Sequence, residues 1–137
     1  MAYVLDASFA ASWFLPDEAS EAADEALAAV LSNSPVVPSL FRHELRNLLL
    51  AAERRNRLAR SDVDEALAMV STLPIAVRTA DDDLDVLSLA RKHVLTAYDA
   101  AYLALALAER LPLATLDKRF AQAARAEKAG LLGPLAR

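Results

Sequence analysis

The chain has no cysteine and only two glycines. The first absence removes disulfides and cysteine-ligated zinc from consideration and permits a reducing compartment. The second, in a sequence that is 55% hydrophobic and rich in alanine and leucine, tilts the composition strongly towards helix. An excess of positive charge is missing too: 15 Lys and Arg stand against 19 Asp and Glu, a net charge of −4. A protein that coats nucleic acid through its overall field would be basic, so that class is disfavoured; acids clustered at a metal site still leave room for a nuclease. The N-terminus lacks the basic, apolar and small-residue pattern of a secretory signal. The longest apolar run, around 97–108, contains Asp99 and falls short of the roughly 20 residues a membrane span needs. A soluble, cytoplasmic protein is expected.

What is present reads as one domain over residues 1–137, long enough to bury a proper core. Ala2 to Leu5 has the aromatic, β-branched and aliphatic character of a short buried strand, and it ends on Asp6. Residues 9–15 read as a helical turn or two. Asp17 is the expected cap of a helix through Ala19 to Leu31, and 36–37, bounded by prolines, is a short strand. Ser39 is expected to cap a helix over 40–57 with Phe41, Leu45, Leu48, Leu49 and Ala52 inward. A capping-box start at Ser61-Asp62 opens a helix to about Thr72, with Val63, Leu67 and Val70 inward. Residues 74–78 read as a third strand, and Thr79 to Asp82 as a cap. The next helix ends near His93 with Leu84, Leu87 and Ala90 facing in. Thr96 precedes a very apolar helix over 98–110, 112–115 is a fourth strand, and an amphipathic helix over 117–129 closes at Gly130. Leu131-Leu132, before Gly133-Pro134, faintly suggests a fifth strand. Strands alternating with helices imply an α/β fold whose parallel sheet is covered on both faces.

Most of the acids sit in first turns or on wet faces; four do not. Asp6 follows an apolar strand directly, at the carboxyl end where open α/β sheets place ligands. Glu44 lies at the edge of a core stripe, Asp99 is the only charge between Leu95 and Ala108, and Asp117 comes two residues after Thr115. Each has a plainer reading. Asp6 and Asp117 can cap or flank helix starts, Asp99 can be a capping-box acid behind Thr96, and Glu44 can pair with Arg42 or Arg46. Together they suggest more. Carboxylates within ~5 Å repel by several kcal/mol at protein-like dielectric and call for a cation. Hard oxygen donors without a histidine cluster select Mg²⁺ or Mn²⁺ over zinc, and such an ion activates water and steadies charge on a phosphodiester. His43 and His93 show no ligand spacing.

The stretches Val4-Leu5-Asp6-Ala7-Ser8, Leu40 to Asn47, Tyr98 to Ala104 and Ala114 to Phe120 resemble the successive motifs of PIN-domain ribonucleases, and within them VapC-type toxins of type II toxin–antitoxin systems. The resemblance covers roughly residues 3 to 126. It implies a central parallel sheet of four or five short strands flanked by about seven helices. Carried over residue by residue, it makes Asp6 and Asp99 the principal metal ligands, with Glu44 and Asp117 completing the acidic pocket directly or through water. It makes Ser8, Asn47 and Thr115 supporting residues. It further implies Mg²⁺-dependent endonucleolytic cleavage of RNA, with Mn²⁺ as a substitute, a homodimer, and inhibition by a small VapB-like antitoxin carrying a DNA-binding domain.

Two other readings stand beside this one. A PIN nuclease of RNA processing would need no antitoxin. A receiver-like signalling module is also small, acidic and Mg²⁺-binding, but wants an acid pair after its first strand, where Asp6 stands alone, and an acceptor Asp after its third, where Arg78 and Thr79 follow. Arg54, Arg55, Arg57 and Arg60 form either a basic contact surface or a solvated helix end. Trp13, Phe14 and Leu15 serve either a partner contact or the core.

Overall fold

The computed structural model describes residues 1–18, 20–30, 32–78 and 82–136. Five short parallel strands form one sheet: β1 (Ala2–Leu5), β2 (Ser34–Val37), β3 (Ala76–Val77), β4 (Leu113–Ala114) and β5 (Leu131–Leu132). Their order is β3-β2-β1-β4-β5. Val4 pairs with Val36 on one side and Leu113 on the other, so β1 is central. This is not the 2-1-3-4-5 order of receiver-type sheets. The chain steps outward from β1 through β2 to β3, then returns to β4 on the other side of β1. The switch point therefore lies between the carboxyl ends of β1 and β4, where doubly wound sheets open a crevice.

Seven α-helices cover this sheet among the described residues: α1 (Ala7–Ser12), α2 (Glu21–Ala28), α3 (Phe41–Arg54), α4 (Arg60–Thr72), α5 (Asp83–His93), α6 (Ala97–Glu109) and α7 (Lys118–Ala126). Val4 and Leu5 are completely buried, as expected of a strand covered on both faces. Helix α6 is apolar nearly all round because both its sides are covered. Tyr102, Leu103 and Leu105 join the main core, while Ala100 and Ala104 pack against Val86 of α5. That burial holds the first turn of α6, and Asp99 with it, against the end of the sheet.

Several local expectations are corrected. The cap of α2 is Ser20, whose hydroxyl oxygen accepts from Ala23 N–H; Asp17, in a short 3₁₀ turn before it, pairs instead with Arg57. Ala19, Leu31 and Thr79 to Asp81 lie outside the described residues, and Asp82 is the residue that caps α5. Ser39 does not cap α3; Leu40 occupies that position without a side-chain bond. The box at α4 is half formed and starts at Ala59, two residues before the expected Ser61, with Asp62 accepting from Ala59 N–H. Leu48, Leu84 and Leu87 are exposed. On α5 the inward stripe is Val86, Leu89 and Ala90, set by the packing of α5 on α6. Gly130 does not close α7. Lys128 takes the left-handed conformation there, and Gly130 lets the next turn approach Pro112, whose Cβ would lie 3.2 Å from an added Cβ. Trp13, Phe14 and Leu15 pack against the core, with Trp13 edge-on to both Phe9 and Phe14.

Candidate active site

Asp6 is the first residue beyond β1, and its backbone is held from both sides. Its N–H extends the ladder to Ala114 O at 3.0 Å, and its carbonyl accepts from Phe9 and Ala10 to begin α1. Sheet and helix together leave the side chain one direction. The carboxylate is 4% exposed, and it does not cap α1 by a hydrogen bond. Instead Oδ2 accepts from the hydroxyls of Ser8 at 2.6 Å and Thr115 at 2.7 Å. Burial pushes its pKa up, against the pull of those hydroxyls, and Asp117 pushes it further.

Thr115, fully buried just past β4, ties two acids together. Its hydroxyl donates to Asp6 and accepts the backbone N–H of Asp117 at 3.1 Å. Asp117 in turn caps α7, with Oδ1 accepting from Arg119 and Phe120 at 2.9 and 3.1 Å. The cap uses one carboxylate oxygen and leaves Oδ2 for other work.

The remaining two acids come from helix first turns. Glu44 sits in the first turn of α3, half-buried, with its pKa pushed up to about 7, chiefly by desolvation, against the pull of the Tyr102 hydroxyl and with a further push from Asp6 and Asp99. Its Oε1 is buried without a hydrogen bond of full geometry among the described residues. Asp99 sits in the first turn of α6, where Thr96 Oγ1 accepts its backbone N–H at 3.1 Å. Among the described residues its carboxylate makes no return bond to Thr96. Desolvation, Asp6 and Asp117 push that carboxylate up to about 6.

All four predicted acids therefore meet at the switch point, each beside the N-terminus of a different helix. The positive ends of α1, α3, α6 and α7 offset part of their mutual repulsion, so the helix-start reading and the site reading hold at once. Among the described residues no Lys or Arg offsets the charge on Asp6, Glu44 or Asp99. Oxygen-only donors and mutual repulsion suit a hard divalent ion. The acids are not a finished chelate. Among the described residues no three carboxylate or imidazole side chains lie close enough to hold an ion as they stand.

Of the supporting residues, Ser8 and Thr115 contact Asp6 directly. Asn47 lies one turn along α3 from Glu44, is exposed, and has no hydrogen bond to the carboxylates. Tyr102, one turn after Asp99 on α6, carried no role in the sequence; it is wholly buried beside Glu44. Burial and the neighbouring acids keep its hydroxyl protonated. The three-residue step from Asp99 was the available signal, since it puts both on one helix face. Of the four arginines, Arg54 ends α3 and Arg60 opens α4. Arg57 is bonded to Asp17 and Glu18 at 2.7–2.9 Å, and Arg54 lies ten residues along α3 from Glu44, roughly 15 Å at the helical rise. His93 bonds Glu127 at 2.6 Å, and His43 is exposed.

Comparison with known proteins bears on the whole chain. A family model described as PIN domain matches residues 3–126. Ribonuclease VapC3 of Pyrobaculum aerophilum is 34% identical over 129 residues, covering 89% of this chain and 94% of that one. Among solved structures, PAE2754 from Pyrobaculum aerophilum superposes with a TM-score of 0.72 at 22% identity, covering 90% of this chain and 79% of the other. VapBC2 from Rickettsia felis, bound to a DNA fragment from its promoter, superposes with a TM-score of 0.65 at 14% identity, covering 89% and 92%.

Proposed function

The chain belongs to the PIN domain family, and on that premise we propose that it is a divalent-metal-dependent endoribonuclease, the toxin of a type II toxin–antitoxin pair. The observation that carries the reading is the convergence of Asp6, Glu44, Asp99 and Asp117 at one sheet edge, with no cationic side chain among the described residues to compensate Asp6, Glu44 or Asp99. Identity to a protein named Ribonuclease VapC3 along nearly its full length supports the activity and the toxin role. A VapB–VapC pair among the structural neighbours supports the fold shared with such toxins, and a small antitoxin with a DNA-binding domain is the proposed partner.

Asp6 and Asp99 are the proposed principal ligands of Mg²⁺ or Mn²⁺, with Glu44 and Asp117 bound secondarily or through water. When bound, the ion would activate water and stabilise charge on the phosphodiester. The chain's own residues supply the rest. Ser8 and Thr115 hold Asp6 Oδ2, which fixes the direction of its other oxygen. Asp117 is anchored through Oδ1 by its cap bonds, which leaves Oδ2 free of them. Glu44, pushed up by burial and by Asp6 and Asp99, is the acid with most to gain from a neighbouring cation. RNA is the proposed substrate, the protein acts as a homodimer in the cytoplasm, and no helix among the described residues is long and apolar enough to cross a membrane.

The purified protein is expected to cut RNA with Mg²⁺ or Mn²⁺ and not with EDTA, and Asp99→Asn to abolish cutting while keeping the fold. Undiminished cleavage by Asp99→Asn or by Asp6→Asn defeats the site. The toxin role is tested by expression in cells with and without the product of the adjacent small gene; growth arrest that the partner fails to relieve defeats it.

A further inference from the structure

Two polar atoms beside the acids are buried and unsatisfied, and they belong to neighbouring side chains. Glu44 Oε1 and the Tyr102 hydroxyl make no hydrogen bond of full geometry among the described residues, yet they lie close enough for the hydroxyl to act on the carboxylate as a hydrogen-bond donor and lower its pKa. Tyr102 is 0% exposed. A buried hydroxyl without a full hydrogen bond is destabilising, so an aromatic ring without the oxygen would serve the core of α6 better. The backbone N–H of Ala7, directly after Asp6, lies towards the same phenol oxygen. That leaves the hydroxyl proton the side facing Glu44. The ring is part of the main core, together with Leu103, Leu105 and Phe120, all nearly or wholly buried.

We propose that Tyr102 is a positioning residue: its hydroxyl donates to Glu44 Oε1 once the acids are drawn together by a divalent ion, fixing that carboxylate so that its second oxygen faces Asp6 and Asp99. The two groups already lie within each other's hydrogen-bonding influence, so bringing that contact to full geometry and holding the ion favour one another. Tyr102 touches neither ion nor RNA and acts through Glu44. The inference rests on the reading of the four acids as a metal site.

The test is Mn²⁺ affinity by calorimetry, with metal-free thermal melts, for the wild type, Tyr102→Phe, Glu44→Gln and the double variant. Tyr102→Phe is expected to weaken Mn²⁺ binding about tenfold, the scale of one hydrogen bond to a charged group. Its metal-free melting temperature should be unchanged or higher, since no bond of full geometry is lost. In the Glu44→Gln background the same change is expected to have no more than a twofold effect. Wild-type Mn²⁺ affinity in Tyr102→Phe overturns the proposal, as does an equal loss in both backgrounds. A lowered metal-free melting temperature overturns it too, because the hydroxyl is then structural. If the wild type itself binds no Mn²⁺, the metal-site reading falls and this inference with it.

Discussion

Thr115 and Asp6, 109 residues apart in sequence, share a hydrogen bond of 2.7 Å between adjacent strand ends. The bond is wholly buried and its acceptor is a carboxylate, which places it in the stronger class of protein hydrogen bonds. Thr115→Val keeps the shape and removes the hydroxyl. It strips Asp6 of a donor and the Asp117 N–H of its acceptor. A loss of about 2–3 kcal/mol in unfolding free energy by denaturant titration is expected. Ser8→Ala, at a part-buried bond, should lose less. Equal losses would mean that the bridge between Asp6 and Asp117 contributes nothing of its own.

The raised acids make the metal-free protein sensitive to pH in a definite direction. Asp99 is raised from 3.8 to about 6 and Glu44 from 4.5 to about 7. Between the unfolded and folded values the native state binds more protons than the unfolded one, so stability falls as pH rises through that window. Their favourable contribution is complete below about pH 4 and lost by about pH 7. Melting temperatures in EDTA should therefore decline from pH 5 to pH 8, and Asp99→Asn should flatten the decline. Mg²⁺ at pH 8 should restore much of the loss. A melting temperature that rises across this range is incompatible with a repelling acid cluster.

How much of this was visible beforehand differs from element to element. The five-strand sheet and the four acids were legible because strand ends, caps and apolar runs are local signals, and the motif resemblance set their order. The inner face of α5 was not. Leu84 and Leu87 satisfy the same helical spacing as Val86, Leu89 and Ala90, and only the packing of α5 on α6 chooses between adjacent stripes. Caps were misplaced where a tertiary partner competed, as when Arg57, forty residues on, took Asp17. Tyr102 was hidden differently. An aromatic in an apolar helix reads as core, and its hydroxyl gains meaning only when Glu44 arrives from α3.

Asp117 carries two duties that one pair of substitutions separates. As the N-cap of α7 its Oδ1 accepts two backbone N–H groups; as a member of the acid group it raises both Asp6 and Asp99. Asparagine caps helices as well as aspartate does but has no charge, whereas alanine does neither. Asp117→Asn should keep the unfolding free energy within about 0.5 kcal/mol of wild type, and Asp117→Ala should lower it by about 1 kcal/mol. Both should reduce RNA cleavage and weaken Mn²⁺ binding to a similar degree, because both remove the carboxylate. If Asp117→Asn cuts RNA as the wild type does and only Asp117→Ala is impaired, Asp117 is a helix cap alone, and the working acids at the switch point are Asp6, Glu44 and Asp99.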